Sequence, residues 1–169
     1  MSEIRWRLPH DLLERSIEIM RPHGNCGNEG LALWLAKGDG PEIEITELVE
    51  VFGAGFRTTP LYLSLSLRAM ATLTDLAHQR GSFLAGQAHS HPESFVELSD
   101  LDKAHGIRVP NYLSVVCPDY AQRSLSGLKE CGVHVFETDR YRRLAQAEIA
   151  RRISFSGAGA TLLRQEVSA

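Results

Sequence analysis

The sequence predicts a single α/β (α+β) domain in which a central mixed β-sheet is flanked by helices. Three observations carry this expectation. The chain has 169 residues, 43% of them apolar and 23% charged, which is the composition of an ordinary folded domain and enough chain to bury roughly two thirds of its unfolded surface. Short apolar runs of strand length are interspersed with segments whose apolar residues recur every three or four positions. The two kinds interleave without strict strand–helix alternation, so parallel and antiparallel neighbours are expected in one sheet. No internal repeat or low-complexity tract divides the chain, and residues 1–169 read as one domain.

Each element has its own signal. Residues 11–21 place Leu13, Ile17 and Met20 at helical spacing, and Pro22 with Gly24 and Gly27 predicts the helix end. Gly30–Ala36 is apolar on both faces and short, the pattern of a central strand covered on two sides. In the next strand Ile43, Ile45, Val49 and Val51 share one parity, while Glu42, Glu44, Thr46 and Glu50 take the other, which predicts one wet face. Residues 53–60 read as a loop whose Gly53-x-Gly55 lacks the third glycine of a phosphate-binding turn. Leu63, Leu67, Met70, Leu73 and Leu76 then predict an amphipathic helix ending near Gly81. Phe83–Ala88, Tyr112–Cys117 and Val133–Glu137 read as strands, Ser99 to about Gly106 as a short helix, and Leu144–Ile153 as a helix. Residues 154–160 read as flexible.

Composition excludes several classes. Residues 1–102 hold 8 basic and 15 acidic side chains, a balance of −7, and residues 103–169 hold 10 and 6, a balance of +4. Neither the net charge of −3 nor this split suits a nucleic-acid binder. No apolar run approaches the roughly 20 residues of a membrane span, and the first residues lack a signal-peptide core, so a cytoplasmic protein without membrane attachment is expected. Cys26, Cys117 and Cys131 are odd in number and form no C-x-x-C pair, which favours free thiols. Arg140, Arg142, Arg143, Arg151 and Arg152 read as a solvated basic face, with an acidic partner as the alternative.

One constellation carries chemistry. His89 and His91 stand two apart at a strand end, so their imidazoles leave the same face. Asp102, in the first turn of the helix that opens at Ser99, is close enough in sequence to bring a carboxylate against them. Two imidazoles and a carboxylate are donors that zinc accepts, and with no fourth protein ligand nearby a water completes a catalytic set. Each piece has a blander account: isolated histidines rarely bind metal, and Ser99-x-x-Asp102 is close to a capping box. With 7 His, 14 Ser and 7 Asp available, the full spacing arises by chance in roughly one such chain per thousand, so the joint pattern outweighs its parts.

His89-Ser90-His91-Pro92, seven positions to Ser99, then Asp102, resembles the signature of the JAMM (JAB/MPN+) zinc metalloproteases. The family also places a glutamate at an early strand, and Glu29 stands at the matching distance, with Glu42 and Glu50 as reserve candidates. The resemblance covers about 10–138 as the domain core and leaves 139–169 as a C-terminal extension. It implies a JAB/MPN-like, cytidine-deaminase-like topology and one Zn2+ per chain held by His89, His91 and Asp102. It further implies hydrolysis of isopeptide or peptide bonds at the C-terminus of a ubiquitin-like protein, Glu29 acting as general base and Ser99 as a hydrogen-bond donor to the oxyanion. A compact chain is more similar to prokaryotic members, which often accompany homologues of activating and conjugating enzymes. Two alternatives stay open: a non-catalytic MPN-type scaffold, and a peptidase that trims a sulfur-carrier protein.

Overall fold

A computed structural model describes residues 3–169. It is a mixed α+β domain, a curled mixed sheet flanked by helices. The strands are β1 (Arg5–Pro9), β2 (Leu31–Lys37), β3 (Glu42–Phe52), β4 (Phe56–Thr58), β5 (Leu63–Leu65), β6 (Phe83–Ser90), β7 (Leu113–Cys117), β8 (Gly132–Glu137), β9 (Arg140–Arg143), β10 (Ile153–Ser156) and β11 (Thr161–Glu166). The helices are α1 (Leu12–Asn25), α2 (Leu67–Gln79), α3 (Asp100–His105) and α4 (Gln146–Arg152). The main sheet runs β10-β1-β3-β2-β6-β7-β8-β9, β11 pairs with the second half of β3, and β4 and β5 form a separate hairpin.

The all-apolar run of β2 lies between β3 and β6, as its two-sided pattern requires, and its first six residues are fully buried. Its alternation divides the core. Ala32, Trp34 and Ala36 face one layer with Leu12, Ile17 and Met20 of α1, whereas Leu31, Leu33 and Leu35 face the other with Ala69, Leu73 and Ala77 of α2. The indole N–H of buried Trp34 donates to Ser16 Oγ at 3.0 Å, and that hydroxyl donates to the Leu12 carbonyl at 2.7 Å. A polar pair thereby satisfies the one polar atom of a large core side chain.

Several expectations need correction. β3 does not keep Ile43, Ile45, Val49 and Val51 on one face: Leu35 pairs with Glu47 and Ala36 with Ile45, so Thr46 is the extra residue of a bulge. Beyond it the parity flips, Ile43, Ile45 and Leu48 packing on the α1 side and Val49 and Val51 on the α2 side. Buried Glu47 is carried to the α2 side, where Arg80 binds it. Helix α1 continues through Pro22 to Asn25. Its last turn packs against the turn after β7, the Gln122 amide donating to the Gly24 carbonyl at 2.9 Å. Leu63 and Leu65 belong to β5, and α2 starts only after Ser66, whose hydroxyl accepts from Ala69 N. Leu67 is consequently 91% exposed, and the buried stripe is Ala69, Leu73 and Ala77.

Residues 139–166 supply β9, α4, β10 and β11 to the domain; Ile153, read as the end of a helix, and residues 154–156, read as flexible, pair in parallel with β1. Nor is the arginine run simply a solvated face. Arg152 is buried, donates to the Ile4 carbonyl and Glu137, and lies over the Trp6 ring, while Arg142 and Arg143 pair with Glu148 and Glu97. Gly53 and Gly55 pack against the backbone of Val167 and Ser168 near the chain end, where a Cβ would lie 2.6 and 2.2 Å from their carbonyl oxygens. This close approach accounts for the Gly-x-Gly without a phosphate.

β6 is flanked by antiparallel β2 and parallel β7. A parallel pair demands a crossover, and the crossover from β6 to β7 carries α3. The end of β6 and the start of α3 therefore meet beside the C-terminal edge of the sheet, where open α/β sheets commonly form their sites.

Candidate metal centre

On β6, Ala88 points into the α1 layer, and Gln87 and His89 point to the opposite face. His89 and His91 are almost fully buried, 1% and 2% exposed. Their Nε2 atoms lie 3.2 Å apart, and Asp102 Oδ2 is 3.1 Å from His91 Nε2 and 3.7 Å from His89 Nε2. Among the described residues these three form a group able to hold a metal ion. A four-coordinate ion with bonds of about 2.0–2.1 Å sets its ligand atoms about 3.3 Å apart, so the spacing fits zinc. Nitrogen and carboxylate donors are also those zinc prefers.

Asp102 is placed by its own helix. Ser99 caps α3 in a capping box: Ser99 Oγ accepts from Asp102 N at 3.1 Å, and Asp102 Oδ2 accepts from both Ser99 N and Ser99 Oγ at 2.8 Å. The capping and metal roles of the Ser-x-x-Asp pattern thus coincide in one carboxylate. Ser99 directs its hydroxyl proton at Asp102, so donation to a substrate oxyanion requires the hydroxyl to turn.

Glu29 precedes β2 and is 2% exposed, with Oε1 3.8 Å from His91 Nε2 and with Oε2 buried and unpartnered. Its placement is a tertiary product. Glu29 N donates to the Thr59 carbonyl at 2.9 Å, and the Thr58 hydroxyl donates to the Glu29 carbonyl. At Gly30 a Cβ would lie 2.6 Å from Met20 Cβ, so only glycine lets α1 pack against the chain just after the carboxylate. Ser90, buried between the two histidines, accepts from Gly30 N at 2.8 Å, and Ser90 N donates to the Gly30 carbonyl at 3.2 Å. The reserve glutamates lie apart: Glu42 is exposed at the start of β3, and Glu50 accepts from Arg164.

Burial sets the electrostatics. It pushes the Glu29 carboxyl up to about 7, with His91 opposing and Asp102 reinforcing. For Asp102 burial also acts upward, but hydrogen bonds from His89, His91 and Ser99 outweigh it and hold the carboxyl well below its ordinary range. Burial pushes His89 down, against Asp102.

Some supporting residues were not singled out in the sequence. Gln87 contacts His89 and is held by Tyr112, Phe95 stacks on His91 at 5.5 Å, Thr58 holds the Glu29 carbonyl, and Ser90 joins the strand end to Gly30. Only Ser90 carried a signal, as the out-of-phase residue of a His-x-His pair. After β7, Asp119, Tyr120 and Ala121 all take positive φ, and this turn closes on the His91 loop through Tyr120 N to the His91 carbonyl at 2.8 Å. Cys117 and Cys131 are buried with their sulfurs 4.0 Å apart. The Cys131 thiol and burial push Cys117 well above its ordinary value, the opposite of an activated nucleophile.

A cavity of about 710 Å³ opens beside Asp102, walled by Leu31, Leu65, Met70, Leu98 and Ile107, with Arg108 also in its lining. Of the cluster, Asp102 is the residue in its lining.

No known family model and no curated protein matches the sequence. Among solved structures the chain is similar to the solution structure of protein DSY2949 from Desulfitobacterium hafniense. The TM-score is 0.62 and the identity 16%, over 95% of this chain and 93% of that one. At this identity the likeness shows the fold alone. Among the described residues no helix is long and apolar enough to cross a membrane.

Proposed function

We propose that the chain is a zinc-dependent metallo-isopeptidase of the JAMM type, with the JAB/MPN-like topology of that family, releasing a ubiquitin-like protein from conjugates or trimming its precursor. The observation that carries this reading is the convergence of His89 Nε2, His91 Nε2 and Asp102 Oδ2 on one point beside a buried glutamate with an unpartnered oxygen. His89, His91 and Asp102 hold the zinc. When bound, zinc supplies a Lewis acid and lowers the pKa of a coordinated water to about 7.

The remaining chemistry belongs to the chain. Glu29 stands 3.8 Å from His91 Nε2, within reach of a water at the cluster, where a carboxylate can act as an acid–base group. It takes a proton from the attacking water and returns it to the leaving amine, its unpartnered oxygen facing no competing donor. Ser99, once turned from Asp102, donates to the oxyanion, a type of contact worth on the order of 10²-fold in rate. The largely apolar cavity beside Asp102 receives the extended tail of the substrate. A cytoplasmic setting and association with activating and conjugating enzyme homologues belong to the same proposal.

The test measures zinc per purified chain, then cleavage of fusions carrying a ubiquitin-like protein or a sulfur-carrier protein. About one zinc per chain and cleavage that Glu29→Ala abolishes support the proposal. Zinc without cleavage of any fusion points to an MPN-type scaffold, and a chain that takes up no zinc overturns the enzyme reading. Cleavage of the sulfur-carrier fusion alone reassigns the substrate.

A further inference from the structure

We infer that Gln87 is a positioning residue for His89, fixing the imidazole in the tautomer that leaves Nε2 free for the metal; this rests on the metal site proposed above. Gln87 and His89 are two apart on β6 and therefore share a face. The Gln87 amide nitrogen lies 3.2 Å from His89 Nδ1, and the amide oxygen accepts from the Tyr112 hydroxyl at 3.1 Å. Tyr112 is 1% exposed at the start of the neighbouring strand, so the pair is anchored within the fold. Neutral imidazole carries one N–H, and an Nε2 that binds a metal leaves that proton on Nδ1. The amide has the same shape either way round, so half a turn presents its oxygen to Nδ1–H and its NH2 to the Tyr112 oxygen. Both amide ends keep a partner, the Tyr112 hydroxyl gives up its acceptor, and the carbonyl oxygen becomes the acceptor that holds His89 for the metal.

His91 offers the contrast, because its Nδ1 is buried without a partner. Gln87 thus provides ring-nitrogen support that His91 lacks. A side chain that merely filled space here would need no amide, since methionine has nearly the same reach.

The experiment measures zinc affinity by chelator competition for the full chain and its variants, with circular dichroism as the check on folding. Gln87→Leu is expected to weaken zinc binding about 10- to 100-fold, the range typical for partners of metal-ligating histidines. Gln87→Glu, which keeps an acceptor for Nδ1–H, is expected to bind at least as tightly as the wild-type chain. Tyr112→Phe, which loosens the same network from its far end, is expected to weaken zinc binding by less than Gln87→Leu but measurably, and it keeps the inference testable if Gln87→Leu does not fold. Wild-type affinity in both Gln87→Leu and Tyr112→Phe overturns the inference and leaves the metal site standing. Wild-type zinc affinity in Gln87→Leu with a raised KM assigns Gln87 to the substrate instead and also overturns it. A wild-type chain without zinc overturns both readings.

Discussion

Glu29→Gln tests the chemistry and the physical cost of the site together. Burial raises the Glu29 carboxyl from 4.5 to about 7 in the folded chain. The folded state therefore holds a proton that the unfolded state has released between those values, and stability from this group is full below pH 4.5 and lost as pH rises through 7. A shift of about 2.5 units corresponds to roughly 3 kcal/mol at 1.36 kcal/mol per unit. Glutamine has the same shape and never ionises. Urea unfolding of the chelator-treated proteins at pH 5 and pH 8 is expected to show the Gln variant gaining on wild type by about 2–3 kcal/mol between the two. Turnover of the zinc-loaded variant is expected to fall at least about 10²-fold. A stability difference that stays constant from pH 5 to pH 8 would refute the reasoning, because it would mean that Glu29 keeps its ordinary ionisation in the fold.

Three further outcomes follow from the packing and the ligand set. Removing zinc with a chelator is expected to lower Tm by roughly 5–10 °C when free zinc had stood near 100 times Kd, and His91→Ala is expected to erase that difference in a thermal melt. Ser16→Ala strips the buried Trp34 indole of its acceptor; a loss of about 1–3 kcal/mol in urea unfolding is expected, and no loss would show that the indole finds another partner. Gly24→Ala places a Cβ 2.0 Å from the Tyr120 carbonyl oxygen. It is expected to cost about 1–3 kcal/mol in urea unfolding and, since Tyr120 N holds the His91 carbonyl, to weaken zinc binding measurably.

How much of this was legible beforehand depends on how local each cause is. The central position of β2 was readable because burial on both faces leaves no polar residue in Leu31–Ala36. The short α3 and its cap were readable because Ser99 and Asp102 interact within one turn. Ile43, Ile45, Val49 and Val51 misled because a bulge at Thr46 exists only through pairing with β2. Pro22 misled because α1 runs past it, its last turn packed against residues about 100 positions away. Leu63 fits a helical stripe but lies in a strand because β4 offers it a partner.

The site divides the same way. By itself the sequence determined the residue types and spacing of His89, His91, Ser99 and Asp102, since period-two alternation and a capping box act over a few residues. Tertiary structure alone decided that Glu29 stands 3.8 Å from His91, that Gln87 and Tyr112 back His89, that Ser90 joins the two halves of the cluster, and that the chain's last strand closes on β3. Those contacts link residues far apart along the chain, so they depend on which strands pair and how α1 packs against Gly30. A pattern of polar and apolar residues specifies that a face is buried; it takes the folded chain to specify what lies across from it.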